Sequence, residues 1–307
     1  MDTVIEGLLG AIKLGDAERR GSITLLPIFA DLPPGPAYLT LGQAVEAGTL
    51  AVPEVSEGGS VPELAATNLG KDPVLILDGE ELQGAKQNRV LNTTVLIAAG
   101  TKVVIPVSCV EHGRWHHISD RFSNSGHHSA YNIRVATHAS VTGSLRATGR
   151  YRSDQSRVWQ EVANLSQDAG VASPTGAMFD VYEERKSRID DFAKALPLAE
   201  GQNGIAAVHD GRVIGMDIVS RPEAYAQVHD KLVRSYVFES WHASASDLAA
   251  DVTAAKTFVV ELGDLVPSSH ESPGAGLSYR YTGPGIVGSA LVFEDALLHA
   301  AFFGVES

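Results

Sequence analysis

Two spacings of apolar residues divide the chain. Over residues 1–20, Val4, Ile5, Leu8, Leu9 and Ile12 recur at helical intervals, which predicts a short amphipathic N-terminal helix. From about 21 to 115 the apolar runs shorten to strand length and are separated by Gly, Pro and Asn: ITLLPIF, AYLTL, TLAVPEV, PVLILDG, VLIAAG and KVVIPVSCV. Short connections between such runs favour an antiparallel sandwich or barrel over parallel βαβ units. Residues 116–153, rich in His, Ser, Asn, Gly and Arg, lose periodicity and read as a long irregular stretch. Helices are expected next, near 154–168 with Ser153 as N-cap and near 176–196. The segment IAAVHDGRVIGMDIV predicts a hairpin turning at Asp210-Gly211, and Pro222 opens a further helix. Strands are expected again at TFVVEL, LSYRY, GIVGSALVFE and ALLHAAFF.

The pattern therefore predicts an α+β protein: an antiparallel β-rich N-terminal section, then helices, then a further hairpin-containing β section. In domain terms it gives an N-terminal helix over 1–20 and one large domain over 21–307. The β-rich part of that domain covers about 21–115 and the mixed helical and β part about 154–307. Gly59, Asp72, Gly79, Gly100 and Pro106 also fall at the intervals of the two cupin motifs, so a jelly-roll-like β section is one form this could take. The metal-binding positions would then be Ala65, Thr67, Asp72 and Glu111. Two carboxylates without imidazoles are a poor set for a transition metal, and no metal ligands are assigned.

Charge changes this picture more than bulk composition does. The 307 residues carry a formal charge of −13, which disfavours duplex nucleic acid or an anionic membrane as partner. Yet ten basic residues lie between Lys86 and Arg157 against three acids, a +7 section inside a remainder of −20. A basic centre in an acidic chain suits a small anion. No run of apolar residues is long enough for a membrane helix, and the single cysteine fits a reducing compartment, so the cytoplasm is the expected location.

The chemistry-bearing segment is 78–115, where apolar strands run into Asp78, Glu80, Glu81, Lys86, Gln87, Asn88 and Arg89, then into Cys109, Glu111, Arg114 and Trp115. Lys86, Arg89 and Arg114 are candidates for holding an anion, and Gln87 and Asn88 for reading an amide or hydroxyl edge. Trp115 offers a face for stacking. Glu80, Glu81 and Glu111 are candidates for a general base or a hard-cation ligand, with Glu80 and Glu111 the catalytic pair. The plainer alternative is a solvated hairpin over Glu80–Arg89 and a structural Glu111–Arg114 ion pair. Cys109, in an apolar strand, is a candidate thiol whose commoner fate is burial. Six of the eleven histidines lie between His112 and His138, where solvation is commoner than metal binding. No P-loop or GxSxG pattern occurs, and no cofactor is specified.

At these residues the chain resembles the family of proteins associated with ADP-ribosylglycohydrolase and rhodanese-phosphatase genes. The resemblance rests on DGEELQGAKQNRVLN and IPVSCVEHGRW, in which Glu80, Gly84, Lys86, Gln87, Arg89, Cys109, Glu111, Arg114 and Trp115 occupy the family's pattern. It extends more loosely through SRVWQEV and KLVRSYVFE, covering about residues 20–240. The resemblance implies a link, by genomic association, to NAD-derived nucleotides and ADP-ribose processing. Three readings follow. The first is a site that binds an anionic nucleotide such as ADP-ribose, with or without turnover. The others are a non-catalytic module partnering an ADP-ribose-processing enzyme, and a divergent cupin-like metalloprotein.

Overall fold

A computed structural model describes residues 3–33, 35–56, 58–243 and 245–305, without the side chains of Thr3 and Ile5, so Ile5's part in the N-terminal periodicity lies outside the described residues. The chain is α+β with antiparallel sheets, and its packing separates into two compact units.

The first unit takes residues 1–36, 189–271 and 276–307. Its nine-stranded sheet has the order Ile12–Leu14, Ile23–Ala30, Gly204–His209, Arg212–Val219, Ala296–Gly304, Ile286–Phe293, Leu277–Gly283 and Ser268–Glu271, with Glu18–Arg20 also paired to Ile23–Ala30. Leu26, Ile28, Ala206, Met216, Ile218 and Phe302 form a core with Leu8 of the helix Thr3–Ala11 and with Phe258 and Leu262 of the helix Leu248–Gly263. The expected hairpin is present. Asp210 (φ 48°) and Gly211 (φ 72°) both take positive φ, as a type I′ turn requires.

Two expectations for this unit change. The N-terminal helix stops at Ala11, because Ile12–Leu14 pairs instead with Ile28–Ala30 and completes the sheet edge. TFVVEL lies in the helix Leu248–Gly263, not in a strand. Asp247 caps that helix by accepting from the Ala250 N–H, and Asp251, Ala255, Phe258 and Leu262 are buried at helical spacing. Packing of that face outweighs the strand propensity of its β-branched run.

The second unit, residues 37–188 and 272–275, holds a six-stranded sheet in the order Phe122–His128, Glu80–Gly84, Arg89–Leu91, Lys102–Cys109, Glu63–Asn68 and Leu50–Ala51. A three-stranded sheet orders Val95–Ile97, Val74–Ile76 and Leu39–Thr40, the last pair being parallel. Leu64, Ala66, Ile76, Leu82, Leu91, Ile97, Ile105 and Val107 belong to its apolar core.

The stretch expected to be irregular is ordered: a strand over Phe122–His128 and an 18-residue helix over Tyr131–Thr148. The helix escaped notice because its inner face is itself polar. Arg134, Thr137, His138 and Thr142 are buried beside Ile133, Ala136, Val141 and Leu145. AYLTL gives only two strand residues, since Thr40 and Gln43 form a capping box for the helix Leu41–Glu46. The helix Gln155–Ala169 is capped by Asp154, which accepts from the Ser156 and Arg157 N–H groups, while Ser153 turns its hydroxyl to Ser108. The helix expected near 176–196 divides into Met178–Glu184 and Lys186–Lys194. Among the described residues no helix is long and apolar enough to cross a membrane.

Candidate functional site: a buried polar cluster around Arg89

Strand register builds this cluster. Cys109 and Leu82 lie directly opposite Arg89 on its two neighbouring strands, so all three project from one face of the sheet. On that face Arg89 stands next to Leu91 on its strand, and Cys109 next to Val107 and Ile105 on the neighbouring one, so the apolar side of the sheet ends in a guanidinium and a thiol. The connecting loop is drawn in tightly. Gly84 has φ 127°, and a Cβ there would come within 2.6 Å of Ser119 Oγ. Asn88 Oδ1 accepts from the Gly84 N–H at 3.2 Å and closes the loop. Lys86, Gln87, Asn88 and Arg89 are consequently buried, not solvated.

Glu111 and Arg114 form the structural ion pair. Arg114 donates from Nε to Glu111 Oε1 (2.8 Å) and from Nη2 to Oε2 (2.6 Å), a two-pronged contact. Glu111 also accepts from the Asn88 N–H (3.0 Å) and from Thr175 Oγ1 (2.9 Å). Burial pushes the Glu111 carboxyl up, but Arg114, the Asn88 N–H and Thr175 outweigh it and hold its pKa below the usual range. The rest of the Arg114 guanidinium is taken by the carbonyls of Ala85 (2.7 Å), His116 (3.2 Å) and Gly84 (3.3 Å) and by Asn88 Oδ1 (3.2 Å). Both groups are thereby committed to fixing the loop.

Arg89 is different. Its Nη1 donates to Gln87 Oε1 at 2.9 Å and to the Asn88 carbonyl at 3.4 Å, whereas buried Nε and Nη2 have no hydrogen-bond partner. Those two atoms share one edge of the guanidinium, the edge that receives a carboxylate or phosphate with two parallel bonds. Burial lowers the Arg89 pKa, with Cys109 and Glu54 acting against it. Trp115, 48% exposed, lies with its ring centroid 5.7 Å from Arg89 Cζ and 5.2 Å from Lys86 Nζ. Lys86 Nζ also donates to the Gly58 carbonyl at 2.7 Å.

Cys109 is sealed. Its thiol donates to Gln87 Oε1 (3.2 Å), and the Gln155 side-chain amide clamps the Cys109 backbone through two 2.8 Å bonds. Burial raises the thiol pKa against the opposing pull of Arg89, so the group stays protonated.

Other acids lie elsewhere on this framework. Glu80 accepts from the Leu77 N–H at 2.7 Å. Glu81 sits opposite Val90, one register step from Arg89, with both oxygens buried and without a hydrogen-bond partner. Burial lifts its pKa to about 8, opposed by Ser125 and Asn88 and reinforced by Glu111 and Asp180. Glu54, on the segment before Glu63–Asn68, likewise has both oxygens buried without a partner.

A second buried polar group joins Asp78 to the helix Tyr131–Thr148. Asp78 Oδ2 accepts from Arg134 Nη2 (3.2 Å) and pairs with His138 Nε2 (2.7 Å), and Thr94 Oγ1 donates to Oδ1 (3.0 Å). The space it encloses does not admit a water-sized sphere. His127, His128 and His138 are buried, whereas His112, His116 and His117 are exposed, as a solvated loop leads one to expect. Among the described residues no three His, Cys, Asp or Glu side chains are placed to hold a metal ion.

Glu54, Thr175 and Arg134 were missed by sequence reasoning about the site: they lie outside residues 78–115 and are joined to that segment only by tertiary contacts.

Fold and cluster together define an antiparallel α+β protein with an arginine-centred buried polar site. The chain belongs to the ARPP-1 family, described as the ARG and Rhodanese-Phosphatase-superfamily-associated Protein domain, whose model matches residues 11–303. This is the family that the Glu80–Trp115 pattern resembles, and it spans both compact units. No curated protein and no solved structure matches the chain.

Proposed function

We propose that this protein binds an anionic NAD-derived nucleotide such as ADP-ribose, in the cytoplasm, with Arg89 as the anion-holding residue. The observation that carries the reading is the unpartnered Nε–Nη2 edge of Arg89 inside a buried site. A buried guanidinium with three of its five donors unused is costly unless something takes those bonds for part of the time. Lys86 adds positive charge, and the half-exposed Trp115 beside both supplies a flat face for a base or ring. Gln87 orients Arg89, while Arg114 and Glu111 hold the loop that carries them. The family description, which names an association with ARG, agrees with this ligand class.

The test is a thermal-shift series with ADP-ribose, NAD, AMP and inorganic phosphate on wild type and Arg89→Met. A ligand that binds the native state raises apparent stability. Stabilisation of wild type and none of Arg89→Met is expected. Equal shifts in both proteins, or none in either, would remove the anion site.

A second reading has its own observation. Trp115 and Ile118, both exposed, stand on one loop, as the rim of a protein-binding surface would. A nucleotide-insensitive protein that co-elutes with an ADP-ribose-processing enzyme, and loses that partner on Trp115→Ala, would favour it.

A further inference from the structure

The Arg89 site contains a second unused group of opposite charge. Glu54 keeps both carboxylate oxygens buried with no hydrogen-bond partner, and Arg89 keeps Nε and Nη2 in the same state. The Glu54 charge acts on Arg89, yet no ion pair joins the two. Glu54 is held on a rigid base: its backbone bridges to Leu64, and the Pro53 carbonyl accepts from the Ala65 N–H at 3.2 Å. Gly59 borders the same space. A Cβ there would lie 3.2 Å from Lys86 Cδ and 3.4 Å from Glu54 Oε2, so the missing side chain lets Lys86 and Glu54 pack closely on the same backbone.

Two buried, oppositely charged groups that lie near each other and leave their hydrogen bonds unmade are matched to a ligand with acceptors at one end and donors at the other. The Arg89 edge takes two anionic oxygens. A carboxylate with two vacant oxygens takes two adjacent hydroxyl donors, because each O–H finds its own acceptor in one plane. We infer that Glu54 is a specificity-determining residue that receives the vicinal hydroxyl pair of a ribose whose phosphate is held by Arg89. The occupant is then a ribose phosphate, with Trp115 placed for an attached ring. This rests on the anion-site reading and narrows it from any anion to one carrying a cis-diol.

Titration calorimetry with AMP, 2′-deoxy-AMP and inorganic phosphate separates the two ideas. Wild type is expected to bind AMP at least about tenfold more tightly than 2′-deoxy-AMP, since a site built to accept a hydroxyl discriminates strongly against its absence. Glu54→Gln should bring that ratio to within about twofold. It should leave phosphate binding unchanged or tighter, because a negative charge beside Arg89 is removed. Equal wild-type affinity for AMP and 2′-deoxy-AMP overturns the diol assignment and leaves the anion site standing. Binding of neither nucleotide nor phosphate sinks the anion site itself. A preference for AMP that survives in Glu54→Gln also overturns the assignment. If Glu54→Gln does not fold, Glu54→Asp, which withdraws the carboxylate by one methylene, must lower the same ratio, and the wild-type comparison needs no variant.

Discussion

Arg114 and Arg89 are two buried arginines of one cluster, and they are used in opposite ways. Every nitrogen of the Arg114 guanidinium has an acceptor, two of them the oxygens of Glu111. Arg89 has acceptors for Nη1 alone and keeps one edge unbonded in a sealed environment. The sequence motif treats them alike, since each sits in a polar run after an apolar strand. Their surroundings separate them. Arg114 lies in a loop where carbonyls of Gly84, Ala85 and His116 converge, whereas Arg89 stands on a strand face whose neighbours are Leu82, Leu91 and Cys109. An arginine on an apolar face has few protein acceptors within reach, and that is what leaves it available.

The comparison can be broken at several points. The largest effect belongs to Glu111→Ala, which leaves Arg114 buried and unpaired. A loss of about 3–5 kcal/mol is expected in urea unfolding, and a loss below about 1 kcal/mol would show the pair to be dispensable. Glu81→Gln should act in the other direction and with pH. The folded pKa of Glu81 is raised from 4.5 to about 8, so the folded state holds a proton that the unfolded chain releases. Stability linked to this group is therefore intact below pH 4.5 and is lost as pH rises toward 8. Replacing it by a neutral amide should stabilise the protein by roughly 3 kcal/mol at pH 7 and by little at pH 4.5. A pH-independent difference between the two proteins would refute the buried ionisation.

Arg89→Met should raise the stability of the ligand-free protein by about 1–3 kcal/mol, since an apolar chain of similar length suits that sheet face better than a half-bonded cation. Destabilisation would mean that Arg89 is structural, like Arg114. The smallest effect is expected for Trp115→Ala. Half exposed, Trp115 contributes about 0.5–1 kcal/mol through Lys86 and Arg89, so the melting temperature should barely move while nucleotide affinity falls.

Much of this was legible in the chain itself. Asp210-Gly211 announced its hairpin, Pro222 its helix, and the apolar run into Cys109 its strand, because turn chemistry and period-two patterning are local. What stayed hidden was set by partners distant in sequence. The helix Tyr131–Thr148 looked like a loop because Arg134 and His138 face Asp78 and so count as interior residues, which no hydrophobic period can register. TFVVEL looked like a strand because β-branched residues favour one when nothing else decides. At the site, burial of Lys86 through Arg89 and the difference between the two arginines depend on cross-strand register, and Glu54 reaches the cluster from a separate segment. Residue types crowded between Asp78 and Trp115 marked the segment that folds into the buried polar cluster, but not which of its groups pair with one another.

Cys109 gives the molecule a built-in clock. It is the chain's single thiol, it lies directly opposite Arg89, and it is shut away by Gln87 and the Gln155 clamp. An alkylating reagent can reach it only when the Arg89 face comes open. The rate of modification therefore counts openings of the space proposed for the ligand, without any label being added. A molecule lodged against Arg89 should slow that clock in proportion to its occupancy, so that one mass-spectrometric time course reports both how often the site breathes and what fills it.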